Sequence, residues 1–314
     1  MESGSPRITA LVAGIKFTYV ANGCSFRDGC LRGFGVPADT EVADGDCVTV
    51  NVHIVPDITI PDKSEVRFHA HKDATEDNFR TDWYLGVTAD GSESLTQCCG
   101  EEVGVRGVRI VAYDDVKGGC TADMVICYEK MPDDGVDPIV YPAVNIFLSR
   151  ILMRRGGLLI HSSVVADRNG DGYLFTAVSG TGKSTSAHIF ESEGATVIND
   201  DMLALRPSTD GVDTIAYPIP MPFYAQTPRS VALRGLFAIF QSKENVISRL
   251  RGAAAISKIM SNVVHQPFNK ESAQMCLDNC IARFQNIPTF SLGFKPDKDV
   301  VALVRNTMSK IAEE

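Results

Sequence analysis

The sequence lacks the features of several protein classes. Its apolar runs are interrupted well short of about 20 residues, so we expect no transmembrane helix and no membrane partner. Basic residues are in the minority, with 30 Lys and Arg against 39 Asp and Glu, and a formal charge of −9 disfavours a broad nucleic-acid-binding surface. The opening stretch MESGSPRITALVAGIKFTYV has no long apolar run of the kind found in a signal peptide. We therefore expect a cytoplasmic protein.

Cysteine is present, but not in a metal-binding arrangement. The nine cysteines include no CxxC pair and no Cys/His spacing of the zinc type. Cys276 and Cys280 are one helical turn apart, and we interpret them as small buried hydrophobic residues. The remaining composition, 44% hydrophobic and 22% charged, is typical of a globular protein. The length allows one large domain or two ordinary ones.

The two halves of the chain differ in their hydrophobic pattern. Residues 1–135 contain short alternating or β-branched runs between Gly, Pro and Asp clusters, which predicts a β-rich domain of unknown role. Residues 136–314 alternate predicted strands and helices, which predicts an α/β domain. Four helices are expected there, in AVNIFLSRILMRR, KSTSAHIFESE, SKIMSNVVHQP and ESAQMCLDNCIARFQN.

The stretch AVSGTGKST, residues 177–185, has the pattern of a Walker A phosphate-binding loop, with Ala177 in place of the usual first glycine. In such a loop backbone N–H groups and a helix N-terminus surround phosphate oxygens, a lysine reaches the terminal phosphates, and a hydroxyl ligates Mg²⁺. An apolar strand precedes the stretch and a helix follows it, which favours this interpretation over an ordinary Gly/Ser turn. The predicted nucleotide-binding residues are Ser179, Gly180, Thr181, Gly182, Lys183, Ser184 and Thr185.

Two further features surround this loop. Asp200 and Asp201 follow the next predicted strand, where paired carboxylates could hold a metal and take a proton from an attacking hydroxyl. By itself the pair would indicate only a turn. Upstream, GLLIHSSVVA and GYLFTAV read as strands joined by a turn, so we expect antiparallel pairing and a mixed sheet. His161 lies in the first of these strands, where a core histidine is the usual interpretation.

The segments LLIHSSVVA, GYLFTAVSGTGKST and EGATVINDD together resemble the kinase domain of the HPr kinase/phosphorylase family. His161, Lys183 and the Asp200–Asp201 pair match that family's motifs in order and closely in spacing. The resemblance covers about residues 145–305. It implies a mixed-sheet P-loop fold like that of phosphoenolpyruvate carboxykinase. It also implies a Mg²⁺-dependent kinase that transfers the γ-phosphoryl of ATP to a hydroxyl, that of a serine, on a protein or peptide.

The resemblance also implies roles for individual residues. Lys183 would contact the phosphates, Ser184 and Asp201 would hold Mg²⁺, and either Asp200 or Asp201 would act as the base. His161 would lie at the mouth of the same site. The family's oligomers imply a possible homo-oligomer.

A later segment, VALRGLFAIFQ, resembles the family's strand around an Arg-Gly pair, which makes Arg234 the matching catalytic arginine. HPr kinases carry a glutamate two residues before that arginine, where this chain has Ala232. This departure bears on the metal ligands and on the reverse phosphorylase reaction.

Two other functions compete with the kinase. The first is a nucleotide-binding regulatory or scaffold protein that keeps the loop but has little turnover, an interpretation motivated by Ala177 and Ala232. The second is a carboxykinase-like metabolic enzyme, which needs additional basic and metal-binding residues that the sequence does not show. The sequence leaves the phosphoryl acceptor open.

Overall fold

A computed structural model describes residues 5–73, 80–99, 104–114, 119–178, 180–221, 229–265 and 269–313. Within these ranges the chain is a mixed α/β protein with two mixed sheets and five helices. It divides into two compact units. The first comprises Met1–Phe147, Pro220–Ala225 and Gln266–Lys270, and the second comprises Leu148–Ile219, Gln226–His265 and Glu271–Glu314. The domain boundary at residue 135 stays a prediction.

The first unit contains an eight-stranded sheet in the order β1-β2-β3-β8-β7-β6-β5-β4. β3 runs parallel to both β2 and β8, and the other neighbours are antiparallel. Its strands are β1 Arg7–Val12, β2 Ile15–Asn22, β3 Cys47–Ile54, β4 Val66–Lys72, β5 Thr81–Val87, β6 Glu93–Cys99, β7 Val105–Asp114 and β8 Cys120–Tyr128.

The alternating pattern of the sequence determines which face of this sheet is buried. In β2 the side chains of Ile15, Phe17, Tyr19 and Ala21 are buried, while the residues between them are only partly buried. This period of two is the spacing at which strand side chains return to the same face. One face of β2 therefore packs into the core.

The second unit contains a nine-stranded sheet. Seven strands follow the order β12-β10-β11-β15-β14-β13-β9, β17 also pairs with β15, and β16 pairs with β17. β11, β15 and β17 are parallel to one another, whereas β10 and β11 are antiparallel, as predicted from the hairpin. The strands are β9 Leu158–His161, β10 Ser163–Ala166, β11 Gly172–Thr176, β12 Thr196–Asn199, β13 Met202–Pro207, β14 Thr214–Pro218, β15 Val231–Gln241, β16 Val246–Leu250 and β17 Thr289–Phe294.

The helices are α1 Ala143–Arg154, α2 Lys183–Ser192, α3 Gly252–Met260, α4 Lys270–Phe284 and α5 Asp299–Ala312. The division between the units falls within α1. In α4, Cys276 and Cys280 are fully buried in an apolar cluster, as expected of small hydrophobic residues. Within the described ranges, none of the helices has the length and apolarity that a membrane span requires.

An aromatic cluster holds α2 against the sheet. Phe190 of α2 packs on Phe175 of β11 with ring centroids 5.0 Å apart, and Phe237 stacks on Phe290 at 5.4 Å. All four side chains are at most 3% exposed. Burying a phenylalanine contributes roughly 1.5–3 kcal/mol to stability. This packing fixes the positions of the strand and the helix that are joined by the residues 177–182.

The structure corrects one predicted helix. SKIMSNVVHQP, residues 257–267, was expected to be helical, but α3 begins at Gly252 and ends at Met260. Beyond it, Val263 forms an isolated β-bridge with Ile160 of β9. This pairing is made between residues distant in sequence, so the local apolar periodicity did not reveal it.

Candidate functional site

The connection between β11 and α2 contains two glycines in a left-handed backbone conformation. Gly180 and Gly182 have φ values of 77° and 118°, a region that glycine adopts far more readily than other residues. A Cβ at Gly182 would also lie 3.2 Å from the ring of Phe294. α2 begins immediately afterwards, so its N-terminal N–H groups lie at the end of the loop. Ser179 lies outside the described residues.

Lys183 is buried beneath the loop. Its Nζ donates to the carbonyl of Ala177 at 2.9 Å and lies 3.4 Å from that of Val178. Burial lowers the pKa of the Lys183 ammonium, and the charges of Asp201 and Asp200 oppose this shift. The lysine therefore lies within electrostatic reach of both aspartates. Ser184 and Thr185, in the first turn of α2, are exposed.

The two aspartates lie where a pair of antiparallel strands is interrupted. GLLIHSSVVA, predicted as one strand, is divided at Ser162 into β9 and β10. β9 pairs with β13 and β10 pairs with β12. The register is the same directly on either side of the break, with His161 opposite Met202 and Val164 opposite Asn199, and a bulge shifts it at Val165. Ser163 is therefore level with Asp200, and Ser162 is level with Asp201. The backbone N–H of Ser162 donates to the Asp201 carbonyl at 2.9 Å.

Each carboxylate has its own side-chain partner. The hydroxyl of Ser163 donates to Oδ1 of Asp200 at 2.6 Å. Nε2 of His161 lies 2.9 Å from Oδ1 of Asp201. His188 of α2 has Nε2 4.0 Å from Oδ2 of Asp200. The Asp200 and Asp201 side chains are 27% and 32% exposed, so both are accessible to a ligand.

A cavity of about 470 Å³ opens beside the loop. It lies at the carboxyl ends of the parallel strands β11 and β15, where α/β sheets bind ligands. Its other wall is formed by the end of α3 and the turn after it. The lining residues used below are Ala177, Gly180 and Thr181 of the loop, Gln241 of β15, and Lys258 and Asn262 at the end of α3.

Arg234 does not lie with these residues. β15 is parallel to β11, with Leu233 opposite Gly172 and Ala238 opposite Thr176. Arg234 is thus four residues before the carboxyl end that borders the cavity, about 13 Å along the strand. Its guanidinium forms a bidentate ion pair with Asp213, and Asp171 lies 3.9 Å from its Nε.

Several residues near the site were not predicted from the sequence, among them Ser163, Asn262, Lys258 and His188. Ser163 is two positions after His161 in an extended segment, so the alternation of side chains could have identified it. Asn262 and Lys258 lie far from the motifs in sequence. The carbonyl of Asn262 accepts from the backbone N–H of His161 at 2.8 Å, a contact that only the fold creates.

Comparisons with known proteins give little beyond this geometry. No family model matches the chain, and no curated protein matches it. Among solved structures, the Hpr(Ser) kinase/phosphatase from Coxiella burnetii is a weak neighbour, with a TM-score of 0.31 and 11% identity. The match covers 49% of this chain and 98% of that chain.

Proposed function

We propose that the second unit is a mixed-sheet P-loop kinase of the phosphoenolpyruvate carboxykinase-like type, related to HPr kinases. In this proposal it transfers the γ-phosphoryl of ATP to a hydroxyl, that of a serine, on a protein or peptide. The observation that carries the proposal is the position of Lys183. Its ammonium lies under a glycine loop that leads into α2, and the charges of Asp200 and Asp201 act on it. A phosphate-binding loop beside two carboxylates is the arrangement that phosphoryl transfer requires.

The loop would bind the nucleotide phosphates through its backbone. The N–H groups from Gly180 to Ser184 and the positive end of the α2 dipole favour an anion there. Lys183 would exchange its two carbonyl acceptors in the loop for phosphate oxygens. Because one set of hydrogen bonds replaces another, this exchange costs little.

The oxygen donors near the loop fit Mg²⁺. The described residues contain no group of three or more acidic, His or Cys side chains able to hold a metal. Mg²⁺ does not need such a cage, since it is held by one or two carboxylates, hydroxyls, waters and phosphate oxygens. The exposed hydroxyl of Ser184 and the carboxylate of Asp201 would hold it. The bound ion would supply neutralisation of the charge on the terminal phosphates.

The aspartates would handle the proton of the acceptor. As the acceptor oxygen bonds to phosphorus and ADP leaves, the hydroxyl proton passes to one of the two carboxylates. Ser163 orients Asp200, and His161 orients Asp201. A comparison of phosphoryl transfer by the Asp200→Asn and Asp201→Asn variants would identify the carboxylate that takes the proton.

One observation favours the alternative of a nucleotide-binding regulatory protein with little turnover. Arg234, the arginine that the resemblance assigns to catalysis, is engaged by Asp213 away from the loop. The nucleotide site would remain intact in this alternative, and only transfer would be weak. A cytoplasmic location and a homo-oligomer stay predictions.

The deciding experiment uses γ-labelled ATP and Mg²⁺ in a lysate of the source cells, with Lys183→Ala as the control. We expect a labelled protein or peptide that is absent with the control variant. Asp200→Asn and Asp201→Asn should reduce transfer more than they reduce nucleotide binding measured by calorimetry. Binding without transfer would favour the regulatory alternative. Unchanged transfer in all three variants would refute the site.

A further inference from the structure

The cavity wall opposite the loop carries a lysine that the proposed roles do not use. Lys258 lies in the last turn of α3, is exposed, and lines the same cavity as Gly180 and Thr181. Of the described residues that line the cavity, Lys258 alone is charged. Its ammonium makes no ion pair with any residue in the described parts of the chain. A cavity whose lining carries a positive charge and no carboxylate favours an anionic ligand.

Hydrogen bonds fix this end of α3 beside the aspartates. The side-chain amide of Asn262 donates to the carbonyl of Lys258 at 3.1 Å. The carbonyl of Asn262 in turn accepts from the N–H of His161, whose ring lies 2.9 Å from Asp201. The backbone of Lys258 is therefore linked, through Asn262 and His161, to Asp201.

This position distinguishes Lys258 from Lys183. Lys183 lies under the loop and is buried, so it approaches the phosphates from the side of α2. Lys258 approaches from across the cavity, on a long side chain with freely rotating donors. Two cations on opposite sides of a phosphoryl group can both neutralise the charge that its oxygens carry during transfer.

We propose that Lys258 is a catalytic residue that binds the transferred γ-phosphoryl group from the side opposite the loop. This inference rests on the proposed kinase function. Lys258 forms no covalent bond in the reaction. The acceptor oxygen bonds to phosphorus, the bond to ADP breaks, the proton passes to an aspartate, and Lys258 donates hydrogen bonds to the phosphoryl oxygens throughout.

The test compares two probes by calorimetry, Mg²⁺·ADP and Mg²⁺·ADP with aluminium fluoride, which mimics the transferring phosphoryl group. For Lys258→Ala we expect Mg²⁺·ADP affinity within twofold of wild type. Affinity for the aluminium fluoride complex should fall at least 10-fold, and transfer of label should fall by about 10²–10³, as for loss of one transition-state donor. Lys258→Arg should retain most of both. Lys310→Ala, an exposed lysine of α5, should match wild type.

The outcomes separate this inference from the kinase proposal. Equal affinity of Lys258→Ala and wild type for the aluminium fluoride complex would overturn the role of Lys258 and leave the kinase proposal standing. A loss of Mg²⁺·ADP affinity as large as that for the fluoride complex would also overturn it, since the residue would then serve the nucleotide as a whole. A wild-type protein that binds neither probe would refute both proposals.

Discussion

Replacing Arg305 with leucine should destabilise the second unit more than the removal of an exposed charge does. Arg305, on α5, donates through Nε to Oδ2 of Asp167 at 2.9 Å, and through Nη2 to the carbonyl of Glu193 at 3.0 Å. Asp167 follows β10 and Glu193 follows α2, so one guanidinium joins three elements. The elements it joins include α2, whose other end follows the glycine loop.

The burial of the pair determines the size of the effect. The Asp167 side chain is 6% exposed and that of Arg305 is 25% exposed. Removing one partner of a buried pair leaves an uncompensated charge, at a cost of about 3–5 kcal/mol. Because a quarter of Arg305 meets solvent, we expect the lower end, about 3 kcal/mol. For a unit of this size that lowers the melting temperature by about 6–12 °C.

Scanning calorimetry of Arg305→Leu would measure this shift. The matched control is Lys298→Ala, which removes a largely exposed ion pair with the Glu193 carboxylate and should cost no more than about 1 kcal/mol. A shift for Arg305→Leu no larger than that of the control would refute the reasoning.

The pH dependence of the same variant gives a second check. The hydrogen bonds and charge of Arg305 hold the pKa of Asp167 below its usual value, despite burial, which acts in the opposite direction. A lowered folded pKa means that the stabilisation is complete above the unfolded pKa of about 3.9 and is lost as the pH falls through the folded value. In Arg305→Leu, burial raises the pKa of Asp167 without the opposing arginine, so the difference in stability between wild type and variant should shrink as the pH falls from the raised pKa of the variant to the lowered pKa of wild type. A difference that stays constant into strong acid would contradict this account.

Two further substitutions test the glycine loop and Arg234, which lies away from the cavity. Gly182→Ala places a Cβ at a φ of 118° and 3.2 Å from Phe294, so we expect a cost of about 1–3 kcal/mol and loss of nucleotide binding by calorimetry. Binding within twofold of wild type would show that the loop tolerates another backbone. Arg234→Gln should leave phosphoryl transfer unchanged, because the guanidinium is paired with Asp213 away from the cavity. A tenfold loss of labelled product would instead place Arg234 in the reaction.

Much of the fold follows from local patterns. The period of two in β2 and the turn between β10 and β11 both predict strands that the structure contains. The end of α3 could not be predicted from local patterns. Val263 pairs there with Ile160, which is distant in sequence, and a local pattern does not indicate such a partner. Local apolar spacing predicts the presence of an element more reliably than it predicts the residue at which the element ends.

Parts of the candidate site also have local signatures in the sequence. The glycine loop and the aspartates each have a local signature in the sequence. As expected, the loop follows a strand, β11, and the aspartates follow the next one, β12. Arg234 shows the limit of such signatures, since an arginine in a strand reaches the site only if the strand register brings it to the carboxyl end. Lys258 shows another limit, because its place beside the loop depends on how α3 returns to the sheet.

The interruption shared by the β9–β10 and β12–β13 segments also determines where insertions and deletions would leave this site intact during evolution. His161 of β9 contacts Asp201 and Ser163 of β10 contacts Asp200, so both contacts depend on the register of these strands with β13 and β12. A single residue inserted between His161 and Ser163 would turn one of the two side chains to the opposite face of the sheet. Insertions within the turn that joins β10 to β11 would leave this register unchanged. We therefore expect length variation among natural variants to accumulate in that turn, and the spacing of the two strands to stay fixed.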